Sequence, residues 1–191
     1  MMVAAPTSGR VTNRGRLLLA ALSMLFAALA QAEPGTAASL AEQRAKAVTQ
    51  VVLGILSYAR WPVEPGQLRL CLVGPTEYAD DLVKGTTQHT GRPVLVRRLL
   101  ADDPRISNEC DAVYLGQLAP DERSRVFSAI NGHPVLSISE ANDPCTVGSV
   151  FCLRVSDRQV AFDVNLDSVA RSGVRIHPSV LQLSRRRAGQ P

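Results

Sequence analysis

Apolar positions recur at helical spacing at Val48, Val51, Val52, Ile55 and Ala59. This predicts an amphipathic helix over residues 40–59. Ser39-x-x-Glu42 supplies a capping box at its start, and Arg60-Trp61-Pro62 supplies a stop, because the residue before proline avoids helical geometry. From there the period shortens. Residues 67–73 form an apolar strand closed by Gly74-Pro75, and residues 93–99 alternate, with Val94 and Val96 opposed to Leu95 and Arg97. Residues 111–115 and 134–138 are further short apolar strands. Helical segments are expected over residues 77–84 and 121–130, the second capped by Asp121 with Val126, Phe127 and Ile130 buried, and residues 86–91 read as a loop.

The last third changes rhythm. Residues 150–155 and 159–164 flank Ser156-Asp157-Arg158, which predicts an antiparallel hairpin. A helix over residues 165–172, with Asn165 or Asp167 near its start, should end at Gly173. Residues 174–176 are extended, and Pro178 suits the first position of a closing helical turn through residue 183. Alternating strands and helices followed by a hairpin predict a single α/β domain with a central mixed β-sheet flanked by helices.

The N-terminus carries a different pattern. Arg10, Arg14 and Arg16 precede an uncharged run, Leu17–Ala30, and Ala30-Gln31-Ala32 follows. That is the layout of a secretory signal peptide over residues 1–32, and its apolar run is shorter than the ~20 residues a membrane span needs. The organisation expected is a signal peptide (1–32), a flexible lead (33–38), a domain (39–184) and a disordered tail (185–191), in the periplasm. Of 191 residues, 46% are hydrophobic and 20% charged, an ordinary globular balance. The formal charge of +4 falls to +1 once the three arginines of the signal are removed, and only eight residues are aromatic. Neither fact points to a nucleic-acid partner.

Export alters the reading of Cys71, Cys110, Cys145 and Cys152. An even number of cysteines in an oxidising compartment, with no CxxC, predicts two disulfides rather than a thiol oxidoreductase. Cys71 and Cys110 sit in or beside strands that can neighbour one another. Cys145 and Cys152 are close in the chain and flank Gly148, as a local loop requires. The expected pairs are Cys71–Cys110 and Cys145–Cys152, the second more labile because its loop is short and exposed.

Enzyme motifs such as GxSxG, HExxH or a P-loop do not occur. His89, His133 and His177 are scattered, so no metal or other cofactor is expected. Asp80-Asp81 and Asp102-Asp103 read as solvated turns. Arg171, Arg175 and His177 cluster after the 165–172 helix, and Arg175 and His177 share one side of an extended segment. With Arg60 and Ser179 they form either a pocket for an anionic ligand or plain surface charge. Trp61 suits a core plug or a stacking surface. Leu166, Val169, Ile176, Val180, Leu181 and Leu183 crowd one short stretch, to be divided between core and an exposed partner patch.

Tyr58-Ala59-Arg60-Trp61-Pro62, the runs LRLCLVG and CDAVYLG, and above all Phe162–Leu183 (FDVNLDSVARSGVRIHPSVLQL) resemble the YfiR family of periplasmic proteins. The resemblance implies a regulator, not an enzyme. Such a protein represses the membrane-bound diguanylate cyclase YfiN by binding its periplasmic region, is released by the outer-membrane lipoprotein YfiB, and is sensitive to redox state. On this basis Leu166, Val169, Ile176, Val180 and Leu181 are expected to face the cyclase. Arg60, Arg175, His177 and Ser179 are expected to face the lipoprotein or a small anionic or aromatic ligand. A homodimer stays open. The alternative is a periplasmic small-ligand sensor or solute-binding domain.

Overall fold

A computed structural model of the chain describes residues 35–88, 90–140, 145, 148–157 and 159–185. The signal segment, His89, Arg158 and residues 186–191 lie outside the described residues. The first helix, α1, spans Gly35–Tyr58. It begins upstream of Ser39-x-x-Glu42, so residues 35–38, expected as a lead, are its first turn. It also stops one residue early, because Ala59–Arg60 form a two-residue strand, β1.

Strands β2 (Leu68–Val73), β4 (Pro93–Leu99), β5 (Ala112–Leu115), β6 (Leu136–Ser139), β7 (Phe151–Val155) and β8 (Val160–Val164), with the two-residue β3 (Thr86–Thr87), make one sheet in the order β3-β4-β2-β5-β6-β7-β8. The pairs β4-β2, β2-β5, β5-β6 and β6-β7 are parallel, and β3-β4 and β7-β8 are antiparallel. This is the mixed α/β sheet that the sequence rhythm predicts. Strand β3 lies inside the segment expected as a loop; a two-residue strand carries no alternation to read.

Alternation along the strands separates two cores. Leu68, Leu70 and Leu72 of β2 pack with Val48, Val52, Ile55 and Leu56 of α1, joined by Tyr114, Ile138, Phe151 and Phe162. The other face of β2 carries Cys71 and Val73, which pack with Val113, Leu115, Val126 and Ile130. Two-residue periodicity sends successive side chains to opposite faces, so one strand serves both cores. The second face is covered by α4 (Pro120–Ile130) and by the one-turn helix α3 (Ile106–Glu109). Helix α4 is not capped by Asp121. Pro120 holds its first position, the Glu122 carboxylate accepts from the Ala119 N–H at 3.0 Å, and Asp121 pairs with Arg125 at 2.9 Å. Phe127 is only half-buried. The helix α2 is shorter than expected, Asp80–Val83.

Trp61 is buried, and its indole Nε1–H donates to the Asp111 carbonyl at 2.9 Å. It is a core plug with its polar edge satisfied. The Asp111 carboxylate in turn takes the Arg69 guanidinium, with Nη2 to Oδ1 at 2.7 Å and Nε to Oδ2 at 3.1 Å, at the start of β2 and β5.

Candidate functional site

Doubly wound sheets ordinarily bind ligands where strand order reverses, beyond the carboxyl ends of the strands. Here that point lies between β2 and β5, and it is shut by backbone. The Gly116 N–H donates to the Val73 carbonyl at 3.0 Å and the Gln117 N–H to the Pro75 carbonyl at 2.8 Å. A Cβ on Gly116 would lie 1.9 Å from the Pro75 carbonyl oxygen, so only glycine permits the approach. The buried Glu140 carboxylate, just after β6, completes the seal. It accepts from the Tyr114 hydroxyl at 2.7 Å, from the Tyr78 N–H at 3.2 Å and from the Glu77 N–H. Burial, with the neighbouring carboxylates, pushes the Tyr114 hydroxyl pKa upward and that of Tyr78 to about 12. No feature of the sequence singles out Glu140.

The C-terminal elements gather elsewhere. Helix α5 (Leu166–Arg171) is followed by β9 (Arg175–Ile176) and by a 3₁₀ helix (Pro178–Arg185). Strand β9 pairs antiparallel with β1, setting Ala59 opposite Ile176 and Arg60 opposite Arg175. The His177 N–H extends this ribbon by donating to the Tyr58 carbonyl at 2.9 Å, and the two rings stack with centroids 6.2 Å apart. Leu183 anchors the end, since a Cβ on Gly54 of α1 would meet its Cδ1 at 2.8 Å.

The ribbon therefore brings Arg60, Arg175 and His177 together. Both arginines are exposed. Arg60 turns back over the end of α1, where Nη1 donates to the Ser57 and Ala59 carbonyls at 2.7 and 2.8 Å. The Arg175 guanidinium has no ion-pair or hydrogen-bond partner among the described residues. Ser179 joins through its backbone N–H, which donates to His177 Nδ1 at 3.2 Å, rather than through its hydroxyl. Arg171 does not join them. It lines a separate cleft between α4 and α5.

The apolar residues divide. Leu166 is 76% exposed and Leu181 50%. Val169 and Ile176 are half-buried against the α1 core. Val180 is 2% exposed and belongs to that core, so it departs from the set expected to face a partner. Successive side chains of a 3₁₀ helix lie about a third of a turn apart, so Leu181 faces out while Val180 turns inward.

Both disulfides have the expected partners, Cys71 with Cys110 and Cys145 with Cys152. The first is buried in the α4-side core; in the second, Cys145 is half-exposed. Asn165 ties the second bond to α5. Its Oδ1 accepts from the Ser168 N–H at 3.0 Å as the helix cap, its Nδ2 donates to the Cys145 carbonyl at 3.2 Å, and its own N–H donates to the Val150 carbonyl at 3.0 Å. The sequence offers Asn165 or Asp167 near the helix start; the structure makes Asn165 the cap, and its contact with Cys145 needs the fold.

The sequence model of the family described as YfiR/HmsC-like matches residues 45–185, nearly three-quarters of the chain. The chain belongs to this family. The YfiR/HmsC-like match runs from within α1 to the last residue of the 3₁₀ helix, so it takes in the sheet, both disulfides and the ribbon. Membership in the YfiR/HmsC-like family suggests a periplasmic regulator in cyclic-di-GMP signalling, acting through a protein partner, and two disulfides fit redox sensitivity. Among the described residues no helix is long and apolar enough to cross a membrane, and no group of three or more His, Cys, Asp or Glu could hold a metal ion.

Proposed function

We propose that this chain represses a membrane-bound diguanylate cyclase of the YfiN kind by binding its periplasmic region. The observation that carries the reading is the exposure of Leu166 and Leu181 on the family's C-terminal block, beside half-buried Val169 and Ile176. Large apolar side chains held in water at the end of a fold gain most when a partner covers them. Arg60, Arg175 and His177, with the turn at Ser179, serve a second contact, with an outer-membrane lipoprotein of the YfiB kind that releases the cyclase.

Redox sensitivity enters through Asn165. While Cys145–Cys152 is closed, the Cys145 carbonyl is fixed and orients the amide that caps α5 immediately before Leu166. Two successive exchanges with an external thiol reduce the bond through a mixed disulfide, leave two free cysteine thiols and the reductant's own disulfide, and release Cys145, so the cap and the Leu166 surface lose a support.

The test is a calorimetric titration of the oxidised protein with the periplasmic part of the cyclase. Wild type binds, and Leu166→Asp binds at least tenfold more weakly while keeping a native circular dichroism spectrum. Unchanged binding by a folded Leu166→Asp variant overturns the assignment of this surface.

A second reading, a small-ligand sensor, is favoured by one observation: Arg60 and Arg175 face each other across the ribbon, and Arg175 has no counterion among the described residues. Like charges directly opposite destabilise a strand pair unless an anion bridges them. A thermal-shift screen with small anions and aromatic amino acids tests it. A ligand at 100 times its dissociation constant adds about 2.7 kcal/mol to stability.

A further inference from the structure

A cleft of about 380 Å³ opens between α4 and α5, away from the ribbon and from the sealed carboxyl edge of the sheet. Its size falls at the low end of small-molecule pockets, roughly 300–1,000 Å³. The floor is apolar, formed by Val135, Val150 and the side of Phe127. The polar groups on its walls are neutral except for one, the exposed Arg171 guanidinium, which has no ion-pair or hydrogen-bond partner among the described residues. Among the described residues no carboxylate lines it.

Ser168 adds the independent observation. It lines the same cleft, is 4% exposed, and its Oγ makes no hydrogen bond. A buried hydroxyl without a partner is destabilising, so native structures retain few of them unless something fills the role. Ser128 on α4 and Asn131 just after it, both exposed, carry further side-chain donors to the mouth.

We propose that this cleft binds a small hydroxycarboxylate of sugar-acid size. Arg171 takes the carboxylate in a two-pronged hydrogen bond, as a guanidinium does best. Ser128, Asn131 and Ser168 take the hydroxyls, and the carbon face lies on Phe127. A neutral sugar lacks the ionic contact, and an aromatic or fatty acid leaves the hydroxyl-bearing walls unpaired. The site goes beyond the repressor reading and needs no partner protein, so its failure leaves that reading standing.

The experiment is calorimetric titration of the oxidised, exported chain with D-glucuronate and D-gluconate, using D-glucose as the neutral control. The acids should bind saturably at micromolar to millimolar concentration, and glucose at least tenfold more weakly. Arg171→Gln, on the exposed rim, and Ser128→Leu, which plugs the mouth, should each weaken glucuronate binding at least tenfold. Arg175→Gln, on the ribbon, should leave it unchanged. The proposal is overturned if neither acid saturates at millimolar concentration, if glucose binds equally well, or if binding survives both cleft variants or is lost in Arg175→Gln alone.

Discussion

Val180 and Leu181 are neighbours in the chain, yet one is 2% and the other 50% exposed. The difference decides what a mutation at each would report. Val180→Asp places an unpaired charge in the α1-side core and should destabilise the protein by about 3 kcal/mol or more. Leu166→Asp, in water, should shift stability by no more than about 0.5 kcal/mol. Urea unfolding of the two variants reads this contrast directly, and equal losses would place Leu166 in the core. At the sealed edge of the sheet, Tyr114→Phe removes one of three donors to the buried Glu140 carboxylate. The expected loss is about 1–2 kcal/mol, seen as a lower urea midpoint with unchanged slope. The same site has a pH signature. Because the pKa of Tyr78 is raised from 10.0 to about 12, the folded state favours its neutral form. Its contribution is fully present below pH 10 and declines as pH rises through about 12, to be followed by alkaline unfolding in wild type and Tyr78→Phe.

Among the elements, the two disulfides should behave differently. Cys71–Cys110 closes a loop with a sequence separation of 39 inside a packed core, and Cys145–Cys152 one of 7 with a half-exposed sulfur partner. Chain entropy alone assigns about 4 kcal/mol to the first and about 2.5 kcal/mol to the second. Cys71→Ser/Cys110→Ser should therefore lose more stability than Cys145→Ser/Cys152→Ser. Graded reduction followed by alkylation and mass spectrometry should open Cys145–Cys152 first; simultaneous opening would count against a switch at that bond. The elements also mark how far sequence reaches. Strand β4 is legible because it is seven residues long, with Val94 buried on the α1 side and Leu99 on the other, although the burial between them does not alternate strictly and Arg97 and Arg98 are both exposed. Strands β1, β3 and β9 are two residues each, too short to hold a period, and β1 pairs with β9 only because the fold returns the C-terminus to the end of α1. Helix α3, a single turn of ISNE, is hidden for the same reason.

At the scale of the whole molecule, two surfaces of different chemistry lie along one C-terminal block. Leu166 and Leu181 present exposed apolar side chains, and the Arg60–Arg175 ribbon is cationic. Burial of apolar area depends weakly on salt, whereas contacts between exposed charges are screened within a Debye length of about 8 Å at physiological ionic strength. Binding of the cyclase's periplasmic region should therefore change little between low and high salt, while binding of the lipoprotein or of a small anion should fall markedly. A titration series in sodium chloride checks both, and a steep salt dependence for the cyclase would move its contact to the ribbon.

The sequence by itself determined what depends on local pattern: the helical period of α1, the apolar strand runs, the hairpin, a polar start to α5 at Asn165 or Asp167, and a cysteine arrangement that leaves two sensible pairs. It also carried the family, because the block from Phe162 to Leu183 is contiguous. What only the tertiary structure decided depends on which surfaces meet. Arg60 and Arg175 are far apart in the chain and become direct neighbours across the ribbon. Arg171, four residues from Arg175, turns to a different cleft. Val180 goes inward and Leu181 outward. Local residue pattern fixes the period of an element, but the burial of each side chain is set by the element packed against it, and that neighbour is supplied by a distant part of the chain.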